Sequence, residues 1–305
     1  GVIAHSVQIH CMNRQVGTQA AGTLRLVVQA ILAAAIAWLL WYYVGVAMTR
    51  YADFDGALNL NVSQSLLDGT GYGSFYDRFM PFPIETQTNA PYVFPAAGAL
   101  WLLGPTPLGT QLVNLLYLLG FAGLVFSLLR RIADPLTGLL GVFVVLQAPG
   151  MYWFAMNGYG EIPALTFYLG ALLLLAGSRE GGSSVLLAAG ILLGLSFLTK
   201  TVSLIWFPST WLALCWLHAG SRPLRAAFVC ACGAVIPVVA WELYRVASFG
   251  GFGPYFDWWA AQADAVGARM GLVEQFPDTQ GVLAKGLAHL SILNEWTGAP
   301  APWMT

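Results

Sequence analysis

TLRLVVQAILAAAIAWLLWYYVGVAM, residues 23–48, carries one charge, Arg25, close to its start. At about 1.5 Å of rise per residue, a helix of this length exceeds the ~30 Å hydrocarbon core of a bilayer. The stretch therefore reads as a transmembrane helix. Trp38, Trp41, Tyr42 and Tyr43 gather toward its far end, where aromatic rings favour the membrane interface. The rest of the chain is made of similar material: of 305 residues, 58% are hydrophobic and 9% charged, against about 25% charge in an ordinary soluble domain. That composition excludes a soluble globular protein and a disordered one. With 13 Lys plus Arg, 14 Asp plus Glu and a net charge of -1, there is no cationic excess to meet a phosphate backbone, and no nucleic-acid partner is expected.

Six more apolar runs follow, at about 107–129, 135–155, 160–177, 183–199, 201–217 and 224–246, so the expected fold is an all-α polytopic membrane protein of about seven transmembrane helices. Arg130 and Arg131, Arg179, and Arg222 with Arg225 fall in alternate short connections, and Arg14 and Arg25 lie in or near the amino-terminal tail. The positive-inside rule makes that side cytoplasmic. Every acidic residue except Asp134 and Glu180 then lies on the outer side. Acids contribute little to topology, so their asymmetry points to an outward-facing chemistry. The chain divides into a cytoplasmic tail (1–23), a transmembrane domain (24–246) that includes an outer loop (50–106), and an outer-face segment (247–305) that reads as a loop.

The outer loop has internal structure. In ALNLNVSQSLLDG, Leu58, Val62 and Leu66 with Ala57 and Leu67 make an apolar stripe that predicts a short interfacial helix. Pro81, Pro83, Pro91 and Pro95 are expected to break regular structure. Residues 92–103 are apolar but too short to span, which predicts a re-entrant or interfacial segment. Cys11, Cys215, Cys230 and Cys232 suggest neither a disulfide framework nor a zinc site, and His5, His10, His218 and His289 do not cluster in the sequence. No metal or other cofactor is expected.

Three places concentrate ionisable groups on the outer face: Asp53 and Asp55 beyond the first span, Glu161 at the mouth of the fourth, and Lys200 between the fifth and sixth. Such groups at membrane depth are costly and point to function. Each also has a local explanation. Asp53 can pair with Arg50, Lys200 can snorkel to headgroups, and Glu161, with Pro163 in the first turn, suits a helix amino end.

The strings DFDGALNLNVSQSLLDGTGYGSFYD (53–77), NAPYVFPAAGALWLLG (89–104), TQLVNLLYLLG (110–120), NGYGEIPALTFYLGALLLLAG (157–177), GILLGLSFLTKTVSLIWFPSTWLAL (190–214) and WELYRVASFGGFGPY (241–255) resemble successive segments of one superfamily in order, over roughly residues 24–256. That superfamily is the polyprenyl-phosphate-dependent GT-C glycosyltransferases, which include aminoarabinose transferases and protein O-mannosyltransferases. The resemblance implies inverting transfer of a hexose or pentose from a lipid-phosphate donor to a glycan, lipid or protein acceptor. It places this at the outer, periplasmic face of a bacterial inner membrane.

The family's catalytic base matches Asp55; Gly56 stands where many relatives have Glu, which keeps Asp53 as an alternative. A carboxylate near the acceptor hydroxyl takes its proton as the anomeric carbon is attacked. A cation must meet the leaving phosphate, and the outer-side candidates are Lys200, where the family pattern has a Lys, Arg78 and Arg245. Arg78 is the weaker match, because Thr88 and Asn89 stand where relatives carry a basic residue before the Pro-rich stretch. Glu161 is expected to bind a donor or acceptor hydroxyl or to act as a second acid. Asp53, Asp55 and Glu161 are also the set able to hold a divalent ion, as in some relatives.

A transporter or flippase, or a noncatalytic subunit of a membrane complex, is the alternative from another class. A transporter would often show internal repeats and mid-span charges, whereas here charges cluster at span ends. Relatives usually have more spans, so residues 247–305 suggest an interrupted outer loop, or a short relative completed by a partner membrane chain.

Overall fold

The computed structural model describes residues 2–49, 54–75, 78–83, 88–177, 182–206, 208–210, 212 and 223–274. Apart from a two-stranded hairpin and the turns and connections between elements, these residues are helical. The elements are α1 (Val2–Thr49), α2 (Phe54–Leu67), β1 (Gly73–Phe75), β2 (Phe79–Pro81), α3 (Ala90–Leu103), α4 (Pro107–Ile132), α5 (Pro135–Gln147), α6 (Pro149–Met156), α7 (Glu161–Gly177), α8 (Ser183–Thr199), a 3-10 turn (Thr201–Trp206), α9 (Pro223–Ser248) and α10 (Phe252–Glu274). Three helices are long and apolar enough to cross a membrane: residues 22–49 of α1, α4 and α9. The bent pair α5–α6 makes a fourth if it crosses as one span. Helices α7 and α8 are apolar but only 17 residues each.

Several boundaries differ from the sequence reading, each for a local reason. Helix α1 begins at Val2, far ahead of the apolar run. The run 135–155 breaks at Ala148, because the residue before a proline is pushed out of helical geometry and Pro149 then starts a new helix at a position proline favours. Pro91 and Pro95 lie within α3, the former in its first turn where no amide donor is needed. The described start of the 201–217 run is the 3-10 turn. Residues 252–274, expected as loop, form α10.

The buried face of α2 is also not the expected stripe. Leu58 and Val62 point inward, but so do Asn59, Ser63 and Ser65, while Ala57 and Leu67 are exposed. The helix is packed into protein on a partly polar face. Two of those groups bond inward across elements, Asn59 to the carbonyl of Gly158 at 2.8 Å and Ser63 to that of Val93 at 3.3 Å.

Lipid tails are as apolar as leucine, so close packing and not water exclusion must hold helices together in a bilayer. The α8–α9 crossing shows how. A side-chain carbon on Gly190 would collide with the carbonyl of Cys230, and one on Gly194 would collide with the carbonyl of Ala234 and lie 2.6 Å from Pro237 Cγ. The GILLG spacing thus lets two backbones touch, and it fixes the end of α8, where Lys200 follows.

Elsewhere, Tyr43, Leu118, Leu146, Met156 and Ile162 join α1, α4, α5, α6 and α7 in one cluster. The hydroxyl of Tyr43 donates to the carbonyl of Leu146 at 2.8 Å, covering a carbonyl near the α5–α6 break. At the start of the apolar part of α1, Arg25 pairs with Asp134 at 2.7 Å, and Asp134 caps α5 by accepting from the Thr137 amide. Arg25 and Tyr43 are 18 residues apart, or about 27 Å along a helix, close to the thickness of a hydrocarbon core.

Candidate functional site

The site is organised by the turn between α6 and α7. Gly158 has φ +73°, a conformation glycine tolerates, and a side-chain carbon there would lie 3.3 Å from Gly56 Cα and 3.3 Å from the Tyr92 hydroxyl. The amino end of α2, with Asp55 in its first turn, therefore rests directly on this turn. Asn59, one helical turn further on, locks the contact through the Gly158 carbonyl. Asp55 itself is partly exposed. The departure at Gly56 fits this packing, since Gly56 is buried against the turn.

The same turn delivers Glu161 as the first residue of α7. Glu161 Oε1 lies 2.9 Å from Lys200 Nζ. Lys200 is 5% exposed, which removes the snorkelling explanation, because a snorkelling head sits in water. Its backbone is held from two sides: its amide donates to Ser196, and it forms a β-bridge with Thr88, while the Asn89 amide donates to the Thr199 carbonyl at 3.1 Å. Thr88 and Asn89, which stand where the family pattern has a base, thus support Lys200 through the backbone. The ring of Tyr159 lies 6.0 Å from the ammonium.

Beneath these groups is a polar floor that the sequence reading did not weigh. Tyr92 donates to the carbonyl of Thr110 at 3.1 Å, Tyr117 to that of Pro91 at 2.7 Å, and Asn114 to that of Phe154 at 3.3 Å. Asn157 and Ser203 are buried, and the side-chain nitrogen of the first and the hydroxyl of the second have no hydrogen-bond partner among the described residues. Glu161 Oε2 is likewise buried and unpartnered. The visible signal for this floor was amides and hydroxyls inside apolar runs: Asn59, Asn114, Asn157 and Ser203.

The remaining candidates lie elsewhere or outside view. Asp53 and its possible partner Arg50 fall outside the described residues. Arg78 is exposed ahead of β2. Arg245 is bonded to Glu242 at 3.0 Å, and its guanidinium carbon lies 5.5, 5.2 and 5.1 Å from the rings of Phe82, Trp241 and Trp258. Tyr255 of α10 donates to the other Glu242 oxygen at 2.8 Å, and burial first, then this bond, raises its phenol above the ordinary range. Tyr72, stacked on Phe82 at 5.2 Å, is fully enclosed, and burial pushes its phenol up as well, leaving it a neutral donor to the Thr88 carbonyl.

Among the described residues no three His, Cys, Asp or Glu side chains gather as a metal site. Chemically, the arrangement offers a partly exposed carboxylate at the helix end that rests on the Gly158 turn, and a buried ammonium paired with the glutamate that follows the same turn, with spare buried donors close in sequence to both partners of the pair. Comparison with protein-family models, curated proteins and solved structures finds no match to this chain.

Proposed function

We propose that the protein is an integral-membrane glycosyltransferase of the GT-C type, moving a sugar from a polyprenyl-phosphate donor to an acceptor at the outer face. The observation that supports this reading is the contact of the α2 amino end with the Gly158 turn, which sets the helix end that carries Asp55 against the turn leading into Glu161, the ion-pair partner of Lys200. Three segments more than 35 residues apart in sequence supply the two charge types the reaction needs. Asp55 takes the acceptor proton as the hydroxyl oxygen bonds the anomeric carbon. The bond from that carbon to the donor's phosphate oxygen breaks, and Lys200 meets the charge that collects on the phosphate.

The same reading takes α7, α8, the bent α5–α6 pair and the 201–217 run as spans beside α1, α4 and α9. That makes seven, with the amino end cytoplasmic and the site on the outer side of a bacterial inner membrane. A protease-accessible tag after Thr305 from the cytoplasmic side would contradict this topology.

The test of function is sugar transfer by purified protein in nanodiscs, across a panel of polyprenyl-phosphate hexoses and pentoses. Asp55→Asn is nearly isosteric and is expected to lower turnover by about 10²-fold or more, with the fold retained by circular dichroism and gel filtration. Wild-type turnover in that variant would remove Asp55 as the base.

A further inference from the structure

The Lys200–Glu161 pair has features that a purely structural salt bridge does not require. Lys200 sits in a nearly water-free position, where an ammonium without a counter-ion is costly. Glu161 meets that need with one oxygen and leaves the other, Oε2, buried and unbonded. Two further buried groups, Asn157 Nδ2 and the Ser203 hydroxyl, have nothing to bond among the described residues. Asn157 is four residues before Glu161, at the start of the same turn, and Ser203 is three after Lys200, with its amide bonded to the Lys200 carbonyl at 3.0 Å. Buried donors left open cost about 1–3 kcal/mol each. Two such donors, one shortly before Glu161 in sequence and one shortly after Lys200, call for an acceptor that arrives from outside.

We propose that Glu161 is a displaceable counter-ion: a lipid phosphate, the diester of the donor on entry and the monoester it becomes after transfer, takes its place on Lys200 and is also bound by Asn157 Nδ2 and the Ser203 hydroxyl. The proposal rests on the transferase reading and adds to it the residues that complete the phosphate seat and the group that vacates it. A phosphate oxygen accepts from the ammonium, the amide and the hydroxyl, whereas the Glu161 carboxylate engages only the first. Two anions cannot share one buried ammonium without repulsion, so phosphate entry and the Glu161 contact exclude each other. Glu161 thereby keeps the lysine neutralised when no phosphate is bound, and the carboxylate sets a threshold that neutral lipids do not pass.

The experiment is titration of farnesyl phosphate, with farnesol and inorganic phosphate as comparison probes, into full-length protein in nanodiscs. Glu161→Gln, whose carbonyl still accepts from Lys200 but carries no charge, is expected to bind farnesyl phosphate about tenfold more tightly than wild type. Glu161→Asp, with shorter reach, should fall between and guards against a folding defect in the Gln variant. In the Glu161→Gln background, Ser203→Ala should weaken binding by about fivefold and Lys200→Gln should abolish it, while farnesol binding stays constant throughout. Inorganic phosphate should bind at least about tenfold less tightly than farnesyl phosphate, since the lipid tail adds apolar contact. Parity between those two probes would overturn the lipid source. Equal or weaker binding by Glu161→Gln and Glu161→Asp would overturn the exchange while leaving Lys200 as phosphate partner. Absence of farnesyl phosphate binding in every form would remove both the exchange and the transferase reading.

Discussion

Two of the ion pairs among the described residues, Lys200–Glu161 and Arg245–Glu242, differ in what surrounds them. Lys200–Glu161 bridges two helices through residues 39 apart in sequence, and the groups around it are polar and incompletely bonded. Arg245–Glu242 is an i,i+3 pair on one helix, with the guanidinium covered by three aromatic rings and the carboxylate shared with Tyr255. The first leaves hydrogen-bonding capacity unspent next to the turn on which the Asp55-bearing end of α2 rests. The second uses its charge to fasten α10 and the β-hairpin onto α9. A buried charge is thus not by itself a sign of chemistry, and neither is an unpartnered donor, since Arg245 Nε, Trp241 Nε1 and Trp258 Nε1 are buried without a partner among the described residues as well; what separates the two regions is that Arg245 is paired within its own helix under three rings, whereas Lys200 is paired across two helices next to the turn on which α2 rests.

Substitution of each cation sharpens this contrast. Lys200→Met leaves the partly buried Glu161 without its partner and is expected to cost about 2–3 kcal/mol, less than for a fully enclosed pair, read as a lower unfolding midpoint in detergent. Lys200→Met with Glu161→Gln should recover much of that loss while donor binding stays absent. Arg245→Met should cost less, about 1–2 kcal/mol of cation–ring contact, because Glu242 keeps Tyr255, and donor affinity should hold. A donor-binding defect in Arg245→Met as large as that in Lys200→Met would erase the distinction.

A change at the helix crossing tests whether the site depends on the scaffold below it. Gly190→Val drives two methyl groups toward the backbone of Cys230 and is expected to cost about 1–3 kcal/mol, with reduced recovery of monodisperse protein. The matched change Gly98→Ala, where a side-chain carbon meets nothing within 4 Å, should leave recovery unchanged. Equal recovery for both would show that the α8–α9 contact is looser than described.

The smallest effect is expected far from both pairs, at Asp134. The Thr137 amide first, with Arg25 contributing, holds its carboxyl below the usual range. A lowered folded value means the stabilisation is present above the unfolded pKa and is lost as pH falls through the folded one. Asp134→Asn should therefore flatten the acid limb of a stability profile and change little at neutral pH. An unchanged acid limb would show that the cap contributes nothing there.

The helices were legible in the sequence because long apolar runs leave few alternatives, and Lys200 and Glu161 stood out as charges at their ends. The break at Ala148 was written in the Ala-Pro-Gly of 148–150, but hydropathy averages over it. The start of α1 at Val2 was not legible, since its first residues lack the apolar pattern. The pairing of Glu161 with Lys200, and the seat of Gly56 on Gly158, depend on the α8–α9 crossing and on a left-handed turn. Neither leaves a periodic trace. Asn59, Asn157 and Ser203 were readable as polar residues in apolar company, a weaker signal than charge but the one that marked the floor of the site.

In the proposed reaction, sugar leaves its lipid phosphate at this site and is not carried across the membrane intact. The most direct measurement is stoichiometry in proteoliposomes loaded with a sugar-charged polyprenyl phosphate and acceptor. One polyprenyl phosphate freed per sugar transferred by the wild-type protein, and none by Asp55→Asn, is the expected result. Movement of the intact glycolipid between leaflets with no lipid phosphate freed would contradict the account and make the protein a transporter.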